Sequence, residues 1–259
     1  MNKVLTLVLV LIVTAAAGFY FYNSQNSLKQ SSGDSDQSEV SNPVDVMSSP
    51  QGETKFANPK KSAHYETNTP AHGAVLAAAP TNIVIDFNFD LAVPSEISIK
   101  KDGVEYGVGE TLIDTNKLAM RRNFDTKAPD GIYRVTYNAC WPDKSCHDGF
   151  FEFKIDRTLT SNFDDQTGKD LVEVNMSQIA FKPVNLKVSK GTKITWVNDD
   201  EVEHFVNTDS HPAHTYFPDQ NSKVLKLGDK YSVNFSESGI YPYHCSAHAD
   251  SMKASIIVE

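Results

Sequence analysis

The sequence predicts an all-β chain: two β domains in tandem, each a sandwich or barrel, behind an N-terminal apolar segment. Three observations lead there. Short runs with apolar–polar alternation recur over residues 63–156 and again over 171–259. Gly, Pro, Asp and Asn punctuate them at spacings too short for helices, and no segment sustains a 3.6-residue apolar period. With 259 residues, 40% hydrophobic and 22% charged, the chain is large enough for one large globular domain or two small ones. Only one run approaches a bilayer span, which excludes a polytopic membrane protein. Three cysteines are too few for a disulfide-dense mini-protein. The net charge of −9 is shared, since residues 63–156 and 163–259 each hold nine basic and fourteen acidic side chains. Neither domain has the basic footprint of a nucleic-acid-binding protein, and both would favour a basic docking surface.

Residues 1–22 form the first element. Val4 to Tyr22 is 19 residues without a charge, roughly 28 Å as a helix. A cleaved signal peptide would use Ala15-Ala16-Ala17 as its processing site. A signal anchor would keep the whole run as a membrane helix, with Phe19-Tyr20-Phe21-Tyr22 as its outer aromatic belt. The anchor is the favoured reading, because cleavage after Ala17 would leave four exposed aromatics. Both readings place the rest of the chain outside the cytoplasm, on the periplasmic or extracellular face, where disulfides form. Residues 23–62 are rich in Ser, Asn, Gln, Asp and Pro and read as a disordered linker.

The first β domain, 63–156, is marked by alternation in Ile83–Phe89, Glu96–Lys100, Gly131–Tyr137 and Phe150–Ile155, with turns at Lys101-Asp102-Gly103 and Ala128–Gly131. Residues 157–170 are polar and read as an inter-domain linker. The second β domain, 171–259, has strand-like runs at 171–176, 186–188, 192–197, 203–207, 231–235, 239–243 and 254–258.

The strongest chemical signal is Cys245-Ser246-Ala247-His248-Ala249-Asp250-Ser251-Met252, between the last two predicted strands, with His204 upstream. A thiolate, two imidazoles and a thioether form the ligand set of a blue-copper site, a His2Cys plane with a distant axial Met. Soft sulfur suits Cu(I), imidazole suits both oxidation states, and a geometry between the two preferences eases passage of one electron. A buried inert thiol would need no histidine three residues later and no second one on a neighbouring strand. Zinc also takes Cys and His, but the methionine argues for copper.

Residues 171–259 resemble the cupredoxins of the plastocyanin and amicyanin type. The resemblance rests on Lys193–Asp200, His204, Gly239–Cys245, His248, Met252 and the terminal Ile256-Ile257-Val258-Glu259. It implies a Greek-key β-sandwich with one type 1 copper at one end. It places His204, Cys245, His248 and Met252 on the four ligand positions and makes His248 the exit for the electron. The three residues between His248 and Met252 fall between the amicyanin-like two and the plastocyanin-like four. His244, next to Cys245 on a strand, is expected on the opposite face, in a solvent or hydrogen-bonding role. His211 and His214 lie on a longer loop that reads either as structural or as a second, weaker metal site.

Residues 62–156 resemble the CopC-like copper-resistance domains, through Thr69–Leu76, Ala79–Phe87, Asp130–Tyr137 and His147–Phe153. That resemblance implies an immunoglobulin-like β-sandwich and a second copper, for which His64, His72, Asp143 and His147 are the candidates. Cys140 and Cys146 flank a five-residue turn and are expected to form a local disulfide outside the cytoplasm, the alternative being a Cys-Cys-His site for metal transfer. The reading that follows is an extracytoplasmic copper protein, tethered by its N-terminal segment, that cycles Cu(II)/Cu(I) as a one-electron carrier. Its expected partner is a redox or copper-handling protein at the membrane. The alternative is copper sequestration, delivery or resistance without electron transfer. No acid–base pair, nucleophile triad or open metal position marks the chain as an enzyme.

Overall fold

In a computed structural model, residues 55–259 are described, and all regular structure in them beyond three short 3₁₀ turns is β. The expected signal segment and most of the expected linker fall outside these residues. The linker's last part is ordered. Lys60 exchanges backbone hydrogen bonds with Phe150, the Ala57 amide donates to Glu152 Oε2 (2.8 Å), and the Ser62 amide donates to the Tyr137 hydroxyl (3.1 Å). Composition marked 55–62 as linker, but its backbone groups find partners on the strands Gly131–Cys140 and Cys146–Ile155, so it is fixed without a core of its own.

The first domain is a sandwich of two sheets. One runs Tyr65–Thr69, Asn82–Phe87, Ala119–Phe124, Gly107–Ile113 in spatial order; the other runs Val75–Leu76, Cys146–Ile155, Gly131–Cys140, Ala92–Lys101, Val104–Glu105. Alternation explains the long central hairpin. In Gly131–Cys140, Tyr133, Val135, Tyr137 and Ala139 face the core while Ile132, Arg134, Thr136 and Asn138 face out. Cys140 stands opposite Cys146 in that hairpin, and the two are disulfide-bonded, as expected.

The second domain is also a sandwich. Its five-stranded sheet orders Asp164–Asp165, Asn185–Val188, Lys253–Val258, Gly239–His244 and Asn207–Thr208. Its four-stranded sheet orders Phe181–Lys182, Leu171–Met176, Lys193–Asn198 and Lys230–Asn234. Ile194, Trp196, Leu186, Val188, Phe235, Tyr243 and Ile256 fill the space between them. Two expectations change here. The linker 157–170 contains a 3₁₀ turn, Arg157–Asn162, capped by Asp156, and Asp164–Asp165 then joins the second sandwich as an edge strand. The run 203–207 is a strand only at Asn207–Thr208. Its upstream amides leave the ladder for side chains, with Phe205 donating to Cys245 Sγ and Val206 to Ser222 Oγ.

The two sandwiches meet along Ala79–Thr81 and Gly239–Ile240. The Ile240 amide donates to the Ala79 carbonyl (2.9 Å). A Cβ on Gly239 would lie 2.6 Å from Thr81 Cγ2, so only glycine permits this approach. The buried Tyr216 hydroxyl accepts from the Thr81 amide (2.9 Å) and donates to the Ile240 carbonyl (2.9 Å). Tyr216→Phe strands both partners. The expected cost is about 1–3 kcal/mol, read as a lower thermal midpoint of the whole unit with an unchanged far-UV spectrum.

Candidate metal centre

The site lies at the end of the second sandwich, where three pieces of chain converge. The strand Gly239–His244 delivers Cys245, the 3₁₀ turn Ser246–His248 carries His248, and His204 forms an isolated bridge with Leu225. The loop closes on itself. The Cys245 amide donates to the Met252 carbonyl (3.0 Å), and the His248 carbonyl accepts from the Met252 amide (2.9 Å). Met252 is buried beneath it.

Cys245 Sγ lies 3.6 Å from His204 Nδ1 and 3.6 Å from His248 Nδ1. Cys245 and His204 are fully buried and His248 is half-buried. Asp200 Oδ2 lies 2.9 Å from His204 Nε2. The Ile179 amide, working against burial, and then His204 and the Gln178 amide hold the Asp200 carboxyl down at about 2. Asp200 is therefore ionised at neutral pH and accepts from the Nε2–H of His204, which turns Nδ1 toward the sulfur. A cation between the sulfur and the two Nδ1 atoms would serve all three. Metal–nitrogen bonds of about 2.0 Å and a metal–sulfur bond of about 2.3 Å require S···N separations of about 3.6–3.8 Å, which the observed distances meet. The Phe205 amide, 3.3 Å from Sγ, supplies a hydrogen bond suited to a thiolate.

The first domain presents a different picture. His64 Nδ1 pairs with Asn88 Oδ1 (3.1 Å) and its ring stacks on Phe89. His72 Nδ1 accepts the Glu152 amide (3.2 Å). Asp143 accepts from the Ser145 amide and hydroxyl within its turn. His147 sets its ring edge-on to Trp141. Among the described residues, these four are not gathered into a metal-ligating group. His64 and His147 share Trp141 as a packing partner, while Asp143 and His72 are engaged by Ser145 and the Glu152 amide.

A second cluster does form, on the other face of the strand that ends at Cys245. His244 is buried, with Nδ1 2.9 Å from Asp209 Oδ1. Its Nε2 lies 3.2 Å from His214 Nε2 and 3.3 Å from His211 Nδ1. Burial, then His244 and His211, push His214 down to about 4. Alternation placed His244 on the opposite face from Cys245 correctly. It is not solvent-facing, because the loop that carries His211 and His214 folds over it.

Comparison with known proteins adds three findings. Residues 169–259 match the family of copper binding proteins described as plastocyanin/azurin, and residues 65–156 match the CopC domain. The chain is 30% identical over 87 residues to amicyanin-alpha of Methylorubrum extorquens, covering 34% of this chain and 71% of that protein. It is 35% identical over 77 residues to plastocyanin of Solanum crispum, covering 27% of this chain and 77% of that one. A solved purple cupredoxin from Nitrosopumilus maritimus is similar at 28% identity and a TM-score of 0.30, covering 34% of this chain and 99% of the other.

Proposed function

Because the chain belongs to the plastocyanin/azurin family of copper-binding proteins through residues 169–259 and carries a CopC domain at 65–156, we propose that it is a one-electron carrier with a type 1 copper held by His204, Cys245, His248 and Met252. The observation that carries this reading is the placement of Cys245 Sγ 3.6 Å from two imidazole Nδ1 atoms. Copper, when bound, supplies a Cu(II)/Cu(I) couple. The protein supplies the rest. Asp200 fixes the tautomer and orientation of His204, and the Phe205 amide moderates the charge on sulfur. Met252, buried at the end of the ligand loop, would offer its thioether as a further soft donor. The ring of His248, the one imidazole of the pair with solvent exposure, is the exit for the electron.

The location proposed is the outer face of a membrane, with the apolar stretch Val4–Tyr22 as tether. That stretch and the disulfide Cys140–Cys146, which needs an oxidising compartment, both support it. A redox or copper-handling protein on the same membrane is the proposed partner. The CopC domain favours a second reading, in which copper is stored or passed on without cycling. One experiment separates the two. The Cu(II)-loaded full chain should be intensely blue, bleach with one equivalent of ascorbate-derived electrons and recover its colour fully with ferricyanide. A colourless copper adduct, or one that loses its metal on reduction, overturns the carrier reading and leaves the second.

A further inference from the structure

The cluster of His211, His214 and His244 has no part in the carrier reading, and its chemistry is that of a metal site. One ring nitrogen from each histidine lies within 4.8 Å of the others. His244 Nδ1 lies 2.9 Å from Asp209 Oδ1, which orients the ring with its Nε2 toward the other two histidines. The proton of the Ser246 hydroxyl goes to Asn207 Oδ1 (2.8 Å), which leaves its oxygen as an acceptor 3.1 Å from His214 Nε2. His211 Nδ1 and His214 Nε2 both face the Nε2 of His244, at 3.3 and 3.2 Å. Four-coordinate imidazole sites have metal–nitrogen bonds of about 2.0–2.1 Å, which place the nitrogens about 3.3 Å apart. The two separations from His244 match that spacing, and the third nitrogen pair lies within 4.8 Å.

The surroundings are built to hold this arrangement. Asp209 behind His244 is the carboxylate–histidine pairing that fixes metal-binding imidazoles. The loop is braced from the first sandwich. Asp86, itself buried, accepts from Ser210 Oγ (2.7 Å) and Thr215 Oγ1 (2.6 Å), the residues flanking the two loop histidines. Arg121 Nη2 donates to the Thr215 carbonyl (3.0 Å). Asn221 Nδ2 donates to the His214 carbonyl (2.9 Å). His244 is buried and His211 exposed, so the cluster opens to solvent on one side only, where a water can complete the coordination.

We propose that His211, His214 and His244 form a second metal site for a borderline divalent cation, Cu(II) or Zn(II), with one position open to solvent. Three imidazoles suit these ions and offer nothing to Ca(II) or Mg(II), which require oxygen donors. The site is independent of the Cys245 centre, since its ligands point from the other face of the strand.

The test counts metal in the full chain. After loading with Cu(II) and desalting, the protein is expected to hold two equivalents, one blue and one with the weak colour and axial EPR spectrum of nitrogen-ligated Cu(II). His211→Ala removes an exposed ligand with little risk to folding. It is expected to lose the second signal and keep the first, which also shows that the sandwich is intact. Titration of Cys245→Ser protein with Zn(II) alone gives the other arm. There, Asp209→Asn is expected to weaken binding by about 10–100-fold, and zinc binding without copper binding would identify the cation as Zn(II). Persistence of the second EPR signal in His211→Ala, or uptake of neither Cu(II) nor Zn(II) beyond the Cys245 centre by the unaltered chain, overturns the proposal. Neither result bears on the blue centre, whose colour is read separately.

Discussion

Cys245→Ser protein is expected to lose all blue colour on exposure to Cu(II) while remaining folded. The colour of a type 1 site arises from charge transfer out of the thiolate, so exchanging sulfur for a hydroxyl oxygen removes its source rather than tuning it. Folding should survive because the substitution is close to isosteric. The buried serine hydroxyl can donate to His204 Nδ1 or His248 Nδ1, both 3.6 Å from the present sulfur, and can accept from the Phe205 amide. A variant at the axial position should behave differently. Met252→Leu keeps the trigonal donors and is expected to keep an intense band, displaced in energy and accompanied by a shifted reduction potential. Absorption spectra of the two variants beside the unaltered chain decide the matter. Retained colour in the serine variant would remove Cys245 from the site, and lost colour in the leucine variant would make Met252 more than a weak axial ligand.

Most of this centre was legible in the sequence because its ligands are close in sequence or carried by a strand. Cys245, His248 and Met252 occupy one loop, and the alternation of Gly239–His244 fixes which side chain faces which way. His204, 41 residues before Cys245, could be joined to them only as a ligand type and through the resemblance, not by spacing. The run 203–207 looks like a strand, yet its amides serve Cys245 and Ser222 instead of a ladder. The three-histidine cluster was half legible. Sequence shows two histidines on a loop and a third on a strand, but only the tertiary contacts of Asp86 and Arg121 fold that loop back over His244. The candidate set in the first domain is spread over several contacts: Ser145 holds Asp143 within its own turn, His64 and His72 meet Asn88 and the Glu152 amide from distant parts of the chain, and His64 and His147 both pack on Trp141. Strand edges were missed wherever they were too short to alternate, as at Val75–Leu76 and Phe181–Lys182.

Trp196→Ala should produce the largest loss of stability. Trp196 is fully buried at the centre of the strand Lys193–Asn198, which pairs on one side with Leu171–Met176 and on the other with Lys230–Asn234. Its ring packs edge-on against Tyr243 at 5.5 Å between centroids, and Tyr243 in turn packs on Phe181 at 4.7 Å. Removing the indole leaves a cavity that three paired strands cannot close, at an expected cost of about 3–5 kcal/mol. For a domain near 100 residues each kcal/mol lowers the midpoint by roughly 4–8 °C. The copper centre should weaken with it, because Tyr243 stands two residues before Cys245 and loses the surface that sets its position. The chain has two tryptophans, so in this variant the remaining fluorescence comes from Trp141 in the first sandwich alone. Thermal melts followed by Trp141 emission and by the blue band should then separate, with the colour lost first. A midpoint within a few degrees of the unaltered chain by both probes would mean that Trp196 does not anchor the second sandwich. Coincident but lowered transitions would mean instead that the contacts through Tyr216 and Gly239 bind the two domains into one cooperative unit.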